Sequence, residues 1–433
     1  MTLMIGQWCA RVLAHKNFQE PTNGSVQSGK TVTKKTSIPK TSRQRLEQLS
    51  ARRNMKMARS AHAYVRGSTT RFYQWLNETS VSALPQGPAI WICGDCHTGN
   101  LGPVANTEGD VEVQIRDLDQ TVIGNPVHDV IRLALSLATA ARGSDLPGVT
   151  TLRMMESLIY GYASAIKPGR HSPDLFRPPK PIELTVRQAT ERTWRQLARE
   201  RIEDTRPSIP LGKRFWPTTK RETKELNALF CTEDVADLAT ALRHRPNAGK
   251  VKLLDAAYWV KGCSSLGRLR YAVLLDVDGG TVVGDDLCLM DIKEGVTAAA
   301  PRAKGPGMPR DNAARVVEGA RNLSPALGER MRAATLLERS VVVRELLPQD
   351  LKLDIERLSR RDAMDVARYL GAVVGKAHAR QLDSDDRKAW HRALEVRRSR
   401  TLDAPSWLWR SVVELMATHE AGYLEHCRRY ALG

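Results

Sequence analysis

The sequence lacks any apolar run long enough to cross a membrane. A transmembrane helix needs about 18 consecutive apolar residues, and no stretch of the 433 residues approaches that length. The first fourteen residues have neither a basic start nor a small-residue cleavage site, both of which a signal peptide needs. Together these absences predict a cytoplasmic protein without a membrane helix.

Cysteine is sparse and shows no pattern. The seven cysteines are an odd number and are scattered along the chain. A disulfide framework is typical of short secreted chains with an even number of regularly spaced cysteines. We therefore expect reduced thiols in a reducing compartment.

The composition is that of an ordinary globular protein, with 42% apolar and 26% charged residues. A chain of this length can bury a large core and is expected to fold as two lobes or domains. The net charge of +18 is uneven, because residues 1–60 hold 12 Lys and Arg against 2 Glu. We interpret residues 1–42 as a disordered basic tail. Binding to nucleic acid is considered for this tail alone, and the mildly basic body suits a phosphate-bearing ligand.

The stretch around which the chain is organised begins with a short apolar strand, Ala89–Ile92. The strand runs into the polar loop CGDCHTGN, in which Asp95 and Asn100 lie five residues apart. A second strand, Val111–Ile115, shows clean alternation of apolar and polar residues. The pattern predicts rigid elements that present polar side chains on loops.

More carboxylates follow the second strand. Asp117 and Asp119 stand at its carboxyl end, and Asp129 lies in the first turn of a helix that opens at Asn125 and Pro126. A carboxylate can orient an attacking hydroxyl, while carboxylate and amide oxygens are the hard ligands that Mg²⁺ prefers. The constellation is typical of phosphoryl transfer.

From about residue 250 the pattern changes from helical to β-like. Three apolar strands are separated by a loop rich in glycine and serine and by a turn. Small residues let a backbone approach phosphates closely, and in this loop they are Gly262, Ser264, Ser265 and Gly267. Lys293 ends the third strand, where a cation could reach phosphates. Glu318, on a predicted helix over 311–323, is a candidate ion-pair partner for Lys293.

Two other motif matches fail on context. The segment Gly24–Thr31 fits the P-loop pattern, but no apolar strand precedes it and no helix follows. The CGDCH segment fits haem attachment and redox patterns, yet it lacks an export signal and a βαβ setting. For His97 the better interpretation is a histidine that hydrogen-bonds the loop. A two-metal phosphoesterase would need further Asp, Asn and His ligands that we do not find.

The motifs together resemble the bacterial DUF2252 family, whose members look like circularly permuted relatives of protein kinases and aminoglycoside or choline phosphotransferases. The resemblance covers about residues 56–380 and is carried by MARSAHAYVRG, GDCHTGNLG, IRDLDQTVIGNPVHDVIRLALSLATAAR, GCSSLGRLRYAVLL, RVVEGAR and VGKAHAR. It implies an α+β, kinase-like fold with two lobes: a small β-rich nucleotide lobe and a large, mainly helical lobe. The implied divisions are a tail (1–42), part of the large lobe with a helical insertion (43–249), the small lobe (250–348) and C-terminal helices that complete the large lobe (349–433).

The resemblance also implies roles for single residues. Asp95 matches the catalytic-loop aspartate, Asn100 and Asp117 match metal ligands, and Asp119 is a further candidate ligand. Lys293 matches the phosphate-binding lysine of the nucleotide lobe. Gly262 to Gly267 match the loop over the phosphates, and Glu318 would pair with Lys293. The chain departs from relatives at five positions. Leu101 and Leu118 replace a frequent Phe, Gln120 replaces a frequent Glu, and Glu318 and Ala320 each replace a frequent Gln.

These features predict an ATP- and Mg²⁺-dependent phosphotransferase that acts on a hydroxyl of a small molecule or protein. One alternative is a nucleotide-binding pseudokinase or scaffold whose basic tail docks on an acidic partner. Another is a kinase-like enzyme that transfers AMP. The sequence shows no motif that identifies the acceptor, because substrate choice depends on pocket shape.

Overall fold

The computed structural model describes residues 42–79, 84–143, 146–191, 208–241, 251–261, 266–277, 287–305, 307–347, 349–351, 353, 359–395 and 404–431. The predicted tail lies outside the described residues, apart from its last position, and so does the P-loop match at Gly24–Thr31. Of the predicted phosphate-loop residues, Gly262, Ser264 and Ser265 also lie outside them. The described part is a mixed α/β fold, as the sequence predicted.

Three helices precede the acid-rich stretch. They are α1 (Ser42–Met57), α2 (Ala61–Gly67) and α3 (Thr69–Glu78). Ser60 begins α2 because its hydroxyl accepts a hydrogen bond from the Ala63 amide at 3.1 Å, which satisfies one of the free donors of the first turn. The chain between α2 and α3 is only one residue long, so the end of α2 and the start of α3 lie against the same loop.

Two small antiparallel sheets build the acid-rich stretch. Strand β1 (Ile90–Ile92) pairs with β4 (Val122–Gly124), and β2 (Leu101–Ala105) pairs with β3 (Val111–Ile115). The sequence predicted β1 and β3 but not their partners. A 3₁₀ turn at Thr98–Asn100 joins the loop that carries Asp95 directly to β2. Pairing of the strands therefore fixes both ends of each acidic loop.

The next helices are long and largely buried. They are α4 (Val127–Gly143), α5 (Gly148–Ile166) and α6 (Lys180–Glu191). Nearly all of α4 is buried, and it packs on α5 and on α2. A helix apolar all round belongs in a core, and α4 thus forms the support on which the acidic loops rest.

A six-stranded antiparallel sheet forms the second part of the fold. Its strands, in chain order, are β5 (Phe215–Pro217), β6 (Val251–Trp259), β7 (Arg270–Val277), β8 (Leu287–Glu294), β9 (Met331–Leu336) and β10 (Arg339–Glu345), arranged as β5-β6-β7-β8-β10-β9. The sequence put the start of the β-rich part at residue 250, whereas the sheet already includes β5.

Helices accompany this sheet on both sides. Between β5 and β6 lie α7 (Lys220–Phe230) and α8 (Glu233–Thr240), whose apolar side chains pack on one sheet face. Between β8 and β9 lie α9 (Asn312–Leu323) and α10 (Pro325–Gly328). Alternation along each strand places a second set of side chains on the opposite face. That opposite face carries Lys293.

Three C-terminal helices return to the helical part: α11 (Arg360–Ala379), α12 (Ser384–Glu395) and α13 (Ser406–Tyr430). Ser359 caps α11, because its hydroxyl accepts a hydrogen bond from the Asp362 amide. Helices α5 and α11 approach so closely that a Cβ at Gly161 would lie 1.9 Å from the Arg368 carbonyl oxygen. Glycine at this crossing lets the two backbones touch, and α11 is thereby held under β1 and β3.

Candidate functional site

Backbone hydrogen bonds fix the loop between β1 and β2, which carries Asp95. The amides of Cys93 and Gly94 donate to the two carboxylate oxygens of Asp129 at 2.7 and 2.9 Å, and the Tyr73 hydroxyl donates to the Gly94 carbonyl. Gly94 has φ of +73°, and a Cβ there would lie 2.1 Å from the Gln120 carbonyl oxygen. Only glycine satisfies both conditions, so this residue sets the direction in which Asp95 projects.

Asp95 is buried and both of its carboxylate oxygens have partners. Arg132 Nε donates to Oδ1 at 2.9 Å and the Thr69 hydroxyl donates to Oδ2 at 2.8 Å. Burial raises the pKa of Asp95 above its usual value, although the Arg132 charge opposes this effect. A carboxylate with a raised pKa is a better proton acceptor, and the two donors hold it in one orientation.

The structure brings Asn100 and Asp117 together through the β2–β3 hairpin. Leu101 pairs with Ile115, and the Arg116 amide donates to the Asn100 carbonyl at 2.7 Å. The Asn100 side-chain amide donates to the Asp95 carbonyl at 3.0 Å. Since its NH₂ group is held there, the side-chain oxygen of Asn100 is the atom left to act as a ligand.

Lys293 meets the acid cluster from the opposite side. Its amine lies 3.2 Å from Asp117 Oδ1 and forms a second, shorter ion pair with Asp119. Lys293 lies 176 residues after Asp117 in the chain. Lys293 of the six-stranded sheet thus contacts the carboxylates that follow the β2–β3 hairpin.

The two carboxylates around Lys293 differ in their electrostatics. Burial disfavours the charged form of Asp117, but Lys293, Arg344 and Arg270 outweigh it and hold the pKa well below its usual range. Burial and the neighbouring Asp117 charge raise the pKa of Asp119, which Lys293 only partly offsets. The Asp117 side chain is 46% exposed and that of Asp119 is 19% exposed. Asp117 is therefore the more accessible carboxylate of the pair and the one that its surroundings keep charged.

The predicted ion pair between Lys293 and Glu318 does not form. Glu318 lies on the exposed side of α9, where its carboxylate pairs with Arg321 at 3.6 Å and accepts from Asn322. Lys293 is instead neutralised by Asp117 and Asp119. The prediction was wrong because the nearest carboxylates come from the loop after β3 and not from α9.

Helix α9 contributes an arginine instead. Arg315 is fully buried and donates to the backbone carbonyls of Asp119, Thr121 and Val296. These carbonyls belong to the acidic loop after β3 and to the segment after β8. Gln120 adds a further link, since its side-chain oxygen accepts from the Ala299 amide at 2.7 Å. Arg315 and Gln120 therefore join the two sides of the site through backbone contacts.

The sheet face beside Lys293 carries a second charged network. Asp291, two residues before Lys293 and 1% exposed, accepts two bonds from Arg270 at 2.9 and 2.5 Å and one from Arg344 at 3.3 Å. Arg270 lies opposite Lys293 on β7, and Arg344 lies opposite Asp291 on β10. Opposed residues project onto the same face, so this face is cationic beside the acid cluster.

A buried chain of hydrogen bonds from helices α11 and α5 holds Asp129 in place. His378 Nε2 lies 3.2 Å from Asp129 Oδ2, and its Nδ1 lies 2.8 Å from the Tyr162 hydroxyl. Trp390 Nε1 donates to the same hydroxyl at 3.0 Å. All donors and acceptors are matched when Tyr162 donates to His378 and His378 donates to Asp129. His378 is thus a buried, hydrogen-bonded core histidine.

Cys93 and Cys96 are fully buried thiols. The hydrogen bond to Cys96 and burial raise the pKa of Cys93 well above its usual value. A reactive or metal-binding cysteine needs a low pKa and access. His97 accepts from the Gly99 amide at 3.1 Å, the loop contact that the sequence predicted for it.

The donor set fits a hard cation. Asp117 and Asp119 converge on one point, as shown by their shared ion pair with Lys293, and Asn100 is tied to the same hairpin. In the described part of the chain, no cluster of three or more His, Cys, Asp and Glu side chains is placed to bind a metal. A site of two carboxylates and an amide, completed by phosphate and water, is the kind that Mg²⁺ uses.

The buried ion pairs of the site were not identified from the sequence. Arg132, which pairs with Asp95, lies in the middle of an otherwise apolar, buried helix. Asp291, which pairs with Arg270 and Arg344, interrupts an apolar strand. A charged residue is almost never fully buried without a partner. That rule was the available signal, although it does not identify the partner.

The family model for DUF2252, described as an uncharacterized protein conserved in bacteria, matches residues 45–429. The match spans the acidic loops, the six-stranded sheet and most of α13. No curated protein and no solved structure matches the chain. In the described part, no helix is long and apolar enough to cross a membrane. The chain belongs to the DUF2252 family.

Proposed function

We propose that the protein is an ATP- and Mg²⁺-dependent phosphotransferase that acts on a hydroxyl group. One observation carries the proposal: the Lys293 amine lies between the Asp117 and Asp119 carboxylates, across from the loop that holds Asp95 and Asn100. A phosphate-binding cation, metal-binding oxygens and a positioned carboxylate in one site are the parts that phosphoryl transfer requires.

The order of the elements supports a permuted, kinase-like fold. Strands β6 and β7 form a hairpin whose connection contains Gly267, with φ of +99°. The lysine strand β8 follows, and helix α9 leads to the next two strands. In kinase-like proteins these elements come before the catalytic loop, whereas here they come after it. The resemblance in the sequence and the arrangement in space therefore support the same permutation.

The residues divide the reaction between them. Asp95 accepts the proton of the acceptor hydroxyl as its oxygen attacks the γ-phosphorus, and the bond to the β,γ-bridging oxygen breaks with release of ADP. Lys293 binds phosphate oxygens. Asn100 and Asp117 would hold the metal, and a bound Mg²⁺ supplies charge neutralisation at the phosphates. Arg132 and Thr69 keep the Asp95 carboxylate in place throughout.

Transfer of AMP is a second candidate, favoured by the network of Arg270, Asp291 and Arg344. A purine base binds in an apolar slot, and the sheet face beside Lys293 is charged. The charged face therefore suits the β- and γ-phosphates of ATP instead of its base. With ATP bound in this orientation, the acceptor oxygen would attack the α-phosphorus, AMP would be transferred and pyrophosphate would leave. Incubation with ATP labelled at the α- or the γ-phosphate separates the two reactions, because only the transferred phosphorus appears in the product.

The primary test is binding. We expect ATP to raise the melting temperature of the wild type in the presence of Mg²⁺, and this stabilisation to disappear in Asp117→Ala. The matched control is Asp174, which is exposed and forms no ion pair with any of the described residues. Asp174→Ala should keep the full shift. The proposal fails if ATP stabilises neither protein, or if Asp117→Ala keeps the Mg²⁺-dependent shift.

A further inference from the structure

Arg66 is an arginine beside the catalytic loop that the reaction described above does not use. It lies in the last turn of α2 and is half-buried. Its guanidinium packs flat against the loop, because a Cβ at Gly99 would lie 2.4 Å from Arg66 Nη2. Gly99 stands between His97 and Asn100, so the cation lies over the 3₁₀ turn of the site itself.

Within the described residues, the Arg66 guanidinium makes no hydrogen bond and no ion pair. Arg66 is also not needed to cap the C-terminal end of α2. The end of α2 is already satisfied, since the Ser68 hydroxyl donates to the Tyr64 carbonyl and Arg132 donates to the Val65 carbonyl. A half-buried arginine without a carboxylate or carbonyl partner is uncommon, because desolvation of the charge is otherwise uncompensated.

Among the described residues, Arg66 forms no ion pair with a carboxylate. The Asp95 carboxylate of the loop already binds Arg132 and Thr69. The charges of Arg66 and Arg132 add to burial in lowering the pKa of His62 to about 4, and both also lower the pKa of His97. An anion is therefore the ligand that this side of the site would bind.

Position distinguishes this cation from Lys293. Lys293 reaches the site from the six-stranded sheet, beside Asp117 and Asp119. Arg66 reaches it from α2, the helix end that continues through Ser68 into Thr69, which contacts Asp95. In the proposed reaction the hydroxyl that gives up its proton lies against Asp95. Arg66 is thus on the side of the acceptor.

We propose that Arg66 binds an oxyanion, a phosphate or carboxylate, carried by the acceptor alcohol of the proposed reaction. The planar guanidinium offers two parallel donors that match either group. This inference rests on the proposed function in assigning Arg66 to the acceptor, while binding of an anion at Arg66 is measurable without any transfer.

The test uses inorganic phosphate and acetate as probes for the two oxyanions, with binding measured on the full chain by titration calorimetry. The nucleotide side is filled beforehand with Mg²⁺ and a non-hydrolysable ATP analogue. We expect one of the probes to bind, and Arg66→Gln to weaken its binding at least tenfold. Whichever probe binds more tightly identifies the oxyanion. Arg59→Gln is the matched control, because Arg59 is exposed and precedes Arg66 by only seven residues; it should leave binding unchanged.

A second variant tests the geometry without altering charge. Gly99→Ala places a methyl group where the Arg66 guanidinium lies, and this end of the side chain is free to swing away. We expect Gly99→Ala to weaken binding of the same probe at least threefold with its melting temperature nearly unchanged. Arg66→Lys should bind the probe more tightly than Arg66→Gln but less tightly than the wild type, since lysine keeps the charge but lacks the two parallel donors of the guanidinium.

The outcomes separate this inference from the proposed function. Equal weakening in Arg66→Gln and Arg59→Gln, no binding of either probe, or displacement of the probe by the nucleotide analogue, would overturn the assignment of Arg66 to the acceptor. Failure of Mg²⁺ and ATP to bind would instead overturn the proposed function. In that case, selective loss of anion binding in Arg66→Gln would still establish an oxyanion site at Arg66.

Discussion

The two acidic groups of the site are built in opposite ways. Asp95 is buried, both of its oxygens are held by Arg132 and Thr69, and its pKa is raised. Asp117 is nearly half exposed, faces Lys293, and its pKa is lowered. A proton acceptor benefits from a raised pKa and a fixed orientation, whereas a metal ligand benefits from charge and access.

The difference comes from the elements that carry each aspartate. Asp95 lies between α2, α3 and α4, which pack apolar side chains into the helical core. Asp117 follows β3 at the border with the six-stranded sheet, where Lys293, Arg270 and Arg344 project. The same residue type thus acquires two chemistries from the packing around it.

The largest effect is expected from removing the Asp95 charge. Asp95→Asn should lower turnover by roughly 10² to 10⁴, the range for the loss of a positioned base, and leave Mg²⁺-dependent ATP binding intact. The substitution also leaves Arg132 buried without its counter-ion, which typically destabilises a protein by about 3–5 kcal/mol. Turnover should therefore be measured together with the free energy of unfolding.

A double variant separates the two consequences. Asp95→Asn with Arg132→Gln removes both charges, so we expect it to recover stability relative to Asp95→Asn alone. Turnover should remain low, because the proton acceptor is still absent. Recovery of turnover along with stability would show that Asp95 has only a structural role.

A smaller effect is expected from distorting the loop that aims Asp95. Gly94→Ala would strain a backbone with φ of +73° and place a Cβ 2.1 Å from the Gln120 carbonyl oxygen. We expect a loss of about 2–4 kcal/mol in the free energy of unfolding, since a backbone atom cannot move away cheaply. Chemical denaturation measures this loss.

Gly109 provides the control for this prediction. It has φ of +96°, but a Cβ there would meet nothing within 4 Å. Gly109→Ala therefore carries only the backbone strain and should cost about 1 kcal/mol. Equal losses in the two variants would mean that strain alone, and not the contact with the Gln120 carbonyl, governs Gly94.

Much of the fold could be predicted from local patterns. The alternation of apolar and polar residues at Val111–Ile115 predicted β3 at its observed position. Strands β2 and β4 were missed, because short strands with a proline or a glycine carry little periodicity and form through their partners. The early start of the six-stranded sheet was missed for the same reason, since β5 is three residues long.

In the site, too, local features could be predicted from the sequence and long-range contacts could not. The sequence predicted Lys293 at the end of a strand, where the structure has it, because a lysine that follows a run of apolar residues is an unusual local feature. Its partner was assigned wrongly, since the distance between Lys293 and Glu318 depends on how α9 turns against the sheet. The roles of Arg132 and Arg315 could not be predicted, because each bonds with groups far away in the chain. Sequence pattern indicates which residues are unusual, and tertiary packing decides what they contact.

The smallest effect concerns pH, and it distinguishes the helical core from the acidic site. Burial lowers the pKa of His419 to about 4, and the Arg132 charge adds to the effect. His128 is likewise lowered to about 4 by burial. Unfolded histidines bind protons below pH of about 6.5, so the unfolded state takes up more protons than the folded state between pH 6.5 and 4. Stability should therefore fall as pH decreases through this window.

Each such histidine should remove about 2 kcal/mol of the free energy of unfolding between pH 7 and pH 5. His419→Leu deletes one of these groups, so its pH-dependent loss should be smaller than that of the wild type by this amount. Urea denaturation at the two pH values measures the difference. An unchanged loss would mean that His419 is protonated in the folded state, in which case its charge beside Arg132 would need an anion in the core between α4 and α13. Asp117, with its lowered pKa, remains ionised over the whole window, so acid weakens the helical core before it neutralises the proposed metal ligand.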